Sequence, residues 1–187
     1  DGLTQPTTIM YTIAGVDPAQ TMVCTHEADE TILPDGKSYL QLCKDAAADG
    51  RLPKNVNIVR LYRCADDPNK RLVNATQENY INALDPADMV KAERSLRRQC
   101  AQVVKFLREN VWGFENCYIE KSADVVGVRE SRRVMGEYVI CGEDLKYGKQ
   151  FPDTVVHNAF FCIDIHNPDG AGQAEEGNKP YEVAQYD

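Results

Sequence analysis

Four charged residues crowd into five positions of this chain: Arg129, Glu130, Arg132 and Arg133. A guanidinium is planar and permanently charged, so it grips a carboxylate or phosphate through two parallel hydrogen bonds. The cluster reads either as an anchor for an anionic group or as an ion-pair network with Glu130, Glu137, Asp124 or Asp164. The sequence favours neither reading. Further on lies the triplet Asp164-Ile165-His166. An imidazole titrates near neutrality and can pass a proton at a carbonyl or hydroxyl carbon, which makes His166 the better catalytic candidate. The competing reading is a hydrogen-bonded structural histidine at a strand end, just before Pro168.

Other chemistries are poorly supported. His157, Cys162 and His166 are spaced as H-x4-C-x3-H, but they supply only three candidate ligands, and zinc sites usually carry tighter Cys/His pairs. No metal is expected. Any of the seven cysteines could pair with a histidine as a nucleophile, yet nothing local singles one out. The chain has no GxSxG, P-loop or HExxH motif. Gly170-Ala171-Gly172 resembles the start of a dinucleotide fingerprint, but Gln173 and the acidic pair Glu175-Glu176 follow, and no strand leads into it.

These residues need elements to position them. Residues 8–16 alternate as a strand that Asp17-Pro18 ends, residues 38–48 read as a helix, and 56–64 read as a second strand before the turn at 66–69. The clearest element is a helix over about 86–111. Asp85 serves as its cap, Pro86 takes the first position, and an apolar stripe runs through Met89, Ala92, Leu96, Cys100, Val103, Leu107 and Val111. Its Lys91, Arg94, Arg97, Arg98 and Lys105 are then solvated surface residues. Residues 117–119 and 124–128 are strand-like. A strand over 132–140 contains Gly136, which marks a bulge or a close approach. In such a strand Arg132 and Arg133 point to opposite faces and cannot serve one pocket. A short helix over 143–147, a buried strand over 160–165, a loop over 167–179 and a strand beginning near 181 complete the chain. The expected fold class is α+β, with a mixed, largely antiparallel sheet packed on the long helix and shorter helices.

The chain has 187 residues, enough for a single domain with a real core, and carries a net charge of −8. That charge argues against nucleic acid and anionic membranes as partners, while leaving room for a local positive pocket. No stretch approaches the ~18 uninterrupted apolar residues of a membrane-spanning helix, and no signal peptide is visible. Widely spaced cysteines, odd in number and without a CxxC pair, read as reduced thiols of a cytoplasmic protein.

Several segments resemble, in order, those of a family of FAD-dependent oxidoreductases. Asp85-Pro86 with Ala92-Glu93 is similar to a DP…AE helix start. Phe106-Leu107-Arg108 with Gly113-Phe114-Glu115-Asn116 is similar to an FLR…PGFEN passage, although Trp112 stands where proline is common. Gly127–Arg133 with Gly136-Glu137-Tyr138 resembles a GVRESRR…GEY run, followed by Phe151-Pro152-Asp153 and Ile163–His166. The resemblance covers roughly residues 56–187 and is weaker before that.

In that family a nucleotide-binding domain holds FAD, and a middle insertion forms the substrate side. The resemblance implies that residues 1–187 are such a substrate-binding insertion, excised from a larger protein and lacking the FAD-binding domain. It also implies that FAD belongs to the intact parent and is not expected on this piece alone, whose partners would be the FAD-binding domain of the same polypeptide and a small-molecule substrate. Arg129 and Arg132 would anchor an anionic or polar substrate or face the flavin, and Glu130 would orient an arginine. His166 with Asp164 would form a proton-transfer and orienting pair. The alternative is a stand-alone small-ligand or carbohydrate-binding module without redox chemistry.

Overall fold

A computed structural model describes residues 3–20, 31–158 and 164–173. Its helices form where capping and apolar spacing coincide. Helix α1 (Tyr39–Ala48) starts at Ser38, whose hydroxyl accepts from the Gln41 N–H at 3.3 Å, and buries Tyr39, Cys43 and Ala46 on one face. Helix α2 (Pro86–Asn110) starts at Asp85, whose carboxylate accepts from the Ala87 N–H at 2.9 Å. The anticipated stripe is the buried one, from Ala92 and Leu96 through Cys100, Val103 and Leu107 to Val111. The five basic residues expected on the surface of α2 are exposed.

Four strands, β1 (Tyr11–Ala14), β2 (Arg60–Arg63), β3 (Arg71–Asn74) and β4 (Tyr118–Ser122), form one sheet in the order β2-β3-β1-β4. With α1 after β1 and α2 after β3, the chain traces a split βαβ arrangement, β-α-β-β-α-β. The expected α+β class holds. The sheet is not mixed, however, since every pairing among the described strands is antiparallel. Pairing opposes Tyr11 to Val73 and Val73 to Leu61, a row buried against the helices' apolar residues.

Strand β3 is absent from the sequence-based expectation. It has four residues and places a charge, Arg71, at a position that is only 3% exposed. Arg71 curls back on the β2–β3 turn and donates from Nη1 to the carbonyls of Pro68 and Lys70, at 2.9 and 2.6 Å.

Two compact units divide the chain: Asp1–Ser131 with Pro168–Gly172, and Arg132–Asn167 with Gln173–Asp187. The buried apolar core lies in the first unit. In the second, the strand expected over 132–140 does not form. These residues pair with no strand among the described residues, and Val134 and Met135 are 90% and 89% exposed. Gly136 instead sits in a close approach to the chain ahead of it: a Cβ there would lie 3.0 Å from the Tyr138 carbonyl oxygen. The short helix near 143–147 is α3 (Gly142–Lys146). Most of the strand expected over 160–165, and all of the one from 181, lie outside the described residues; Asp164 and Ile165 are not in a strand. Among the described residues no helix is long and apolar enough to cross a membrane.

Candidate functional site

The nominated residues fall in both units. Arg129 and Glu130 belong to the first, on a segment fastened to the lead-in to β1. Thr8 and Gly127 exchange two main-chain hydrogen bonds, at 3.0 and 2.7 Å, and the Glu130 carboxylate accepts from the Gln5 N–H at 2.9 Å. Glu130 is half-buried and Arg129 exposed, so the carboxylate is held while the guanidinium stands at the surface. Arg132 belongs to the second unit and is exposed. Because residues 132–140 form no strand, the opposite-face constraint on Arg132 and Arg133 does not apply.

Asp164 and His166 also belong to the second unit, where Gln173 meets both positions. Its side-chain amide donates to the Asp164 carboxylate at 2.5 Å, and its main chain pairs with that of His166 in a single antiparallel pairing. His166 is half-buried and Asp164 exposed. The sequence reading did not include Gln173 among the candidate site residues; an amide in a Gly-rich stretch gave no signal. Of the imagined metal ligands, Cys162 lies outside the described residues, and His157 is exposed.

A second charged cluster joins the GEY and FPD segments. The Tyr138 hydroxyl donates to the Asp144 carboxylate at 2.7 Å, and the Lys149 ammonium donates to the Tyr138 oxygen at 2.5 Å. That ammonium also lies 3.4 Å from Asp144, 4.1 Å from the Tyr138 ring centre and 5.2 Å from that of Phe151. The two rings meet edge to face at 5.2 Å. Asp144 accepts from the Cys141 N–H at 2.9 Å. This main-chain bond, then the Tyr138 hydroxyl and Lys149, hold its carboxyl well below the usual carboxylate range. So acidic a carboxyl is a poor proton acceptor. The members of the cluster satisfy one another and fasten residues 138–151 together.

In the first unit, Gln77, Asn79 and Tyr80 hold the loop 168–170. Gln77 Nε2 donates to the Gly170 carbonyl at 2.5 Å, Asn79 Nδ2 donates to the Pro168 carbonyl at 3.0 Å, and Tyr80 donates to the Asp169 carboxylate. The Gln99 amide, buried on α2, accepts from the Gln77 N–H and donates to its carbonyl, both at 2.9 Å. It completes main-chain bonds that a neighbouring strand would otherwise make.

The described residues do not suit the phosphates of a dinucleotide. Such a ligand needs uncapped helix N–H groups after a strand in a parallel crossover. Here the N-termini of α1 and α2 are occupied by Ser38 and Asp85, and Asp88 adds negative charge to the first turn of α2. The described sheet has no parallel pair.

A family described as FAD dependent oxidoreductase matches residues 1–187. No curated protein and no solved structure matches the chain.

Proposed function

This chain belongs to the FAD-dependent oxidoreductase family, and from that premise we propose that it is the substrate-side domain of such an enzyme. It positions a small anionic or polar substrate against a flavin held by the FAD-binding domain of the same polypeptide. The observation that carries this reading is a family match along the whole chain, set beside a fold whose described elements supply no phosphate cradle. The redox chemistry then belongs to the flavin, and binding and orientation are left to this chain.

Arg129 and Arg132 anchor the substrate's anionic or polar group, or face the flavin. Glu130, pinned by the Gln5 amide, fixes the stretch that carries Arg129. His166 is the proton-transfer group, on a segment that Gln173 joins to Asp164. Arg129→Ala, Arg132→Ala and His166→Ala in the full-length enzyme should each lower turnover more than tenfold while leaving circular dichroism unchanged. Wild-type turnover in all three removes the site assignment.

A further inference from the structure

Three loops meet at one end of the sheet of the first unit: residues 15–20 after β1, 66–70 between β2 and β3, and 113–116 between α2 and β4. They enclose an open cleft of about 560 Å³. Main-chain bonds tie its walls together, from Val16 N–H to the Asn69 carbonyl at 3.2 Å and from Asp17 N–H to the Gly113 carbonyl at 2.8 Å. Gly15 adopts φ +75°, and a Cβ there would lie 2.7 Å from the Asn116 carbonyl oxygen, so close approach of the first and third loops depends on glycine. The cleft is therefore built into the chain rather than formed by mobile side chains.

Its chemistry is specific. Asp17, Gln20, Asn69, Glu115 and Asn116 line it, and among the described residues no basic side chain does. Carboxylates only accept hydrogen bonds, while side-chain amides both donate and accept. A hydroxyl also does both, and its bond to a carboxylate is charge-assisted and short. Two carboxylates beside three amides thus match a ligand bearing several hydroxyls, and the two negative charges disfavour an anion. Both carboxylates are already oriented: Glu115 accepts from the Gly113 N–H at 3.1 Å, and Asp17 from the Ala19 N–H at 2.9 Å and the Gln20 amide at 2.7 Å. A volume of this size holds a ligand of sugar dimensions.

We propose that this cleft, which none of the candidate arginine and histidine residues above lines, binds a small neutral sugar or polyol. The assignment does not rest on the flavin reading. The chain's one tryptophan, Trp112, precedes Gly113 and is 57% exposed, which supplies an intrinsic fluorescence reporter beside the cleft. The chain is titrated with glucose, mannose and N-acetylglucosamine, and with glucuronate as the anionic control, by Trp112 fluorescence and by calorimetry. At least one neutral sugar is expected to bind saturably at millimolar concentration, and glucuronate at least tenfold more weakly than glucose. Glu115→Gln keeps an acceptor for the Gly113 amide and so preserves the loop. This variant and Asn116→Ala should each weaken binding at least tenfold, whereas Arg129→Ala should leave it unchanged. The proposal is overturned if no neutral sugar binds by either method, if glucuronate binds as well as glucose, or if Glu115→Gln and Asn116→Ala both bind like the wild type.

Discussion

Tyr11 and Tyr39 are both buried, at 1% and 0% exposure, but their hydroxyls are treated differently. Tyr39 donates to the Val59 carbonyl at 2.8 Å, whereas the Tyr11 hydroxyl finds no hydrogen-bond partner among the described residues. A buried donor without a partner costs desolvation with no return. Tyr39→Phe should therefore destabilise the fold by about 1 kcal/mol or more in urea unfolding, and Tyr11→Phe should be neutral or stabilising by up to about 1 kcal/mol. Equal losses from both would contradict this difference. Burial also pushes the thiols of Cys100 and Cys117, close to Tyr11, up to about 11. These groups are neutral in the folded protein where unfolded thiols, with an ordinary value of 9.0, would ionise. Their contribution is complete below about pH 9 and is lost as pH rises toward 11. Stability should fall across that window, and less so in a Cys100→Ala, Cys117→Ala double variant. Peptide mass spectrometry after brief alkylation should find Cys141, which is exposed, modified well before Cys43, Cys100 and Cys117, which are buried.

At the scale of elements, α2 is the piece most completely written in local sequence. Its cap, its proline and its stripe agree with one another, and the helix forms at the expected positions. Asp85→Ala removes the acceptor for the Ala87 N–H and should cost about 1 kcal/mol in thermal or urea unfolding; an unchanged midpoint would show that the cap carries no weight. Helix α1 and strands β1 and β2 were legible for the same reason, since apolar spacing and turn residues bound each one; of the short strands expected over 117–119 and 124–128, only the first overlaps β4, and the second forms no strand. Strand β3 was not, because its formation depends on pairing with β1 and β2, and Arg71 hides the apolar pattern. The opposite error occurred at 132–140. Val134, Met135, Val139 and Ile140 have strand-forming composition, but a strand needs a partner, and none among the described residues pairs with them. The candidate site was legible only as residue types. Glu130 was foreseen as an orienting group, but its partner is a main-chain amide from residue 5, and no local pattern points 125 residues away. Gln173 and the cleft residues are common polar types whose meaning comes from where the loops meet.

On the scale of the whole molecule, the buried core draws on residues from Ile9 to Cys117, all within the first unit. The described residues of the second unit include no buried side chain, and large apolar groups such as Val134, Met135 and Val155 stand exposed there. The proposal that this chain is the substrate side of such an enzyme places the flavin-holding part in another segment of the same polypeptide. The direct test is flavin content by visible absorbance, for this chain and for the full-length polypeptide containing it, purified side by side and each reconstituted with FAD. The account predicts a yellow full-length protein with near-stoichiometric FAD and a colourless 187-residue chain. Stoichiometric FAD on the isolated chain would contradict the claim that its cradle lies elsewhere, and no flavin on either protein would contradict the flavoenzyme reading altogether.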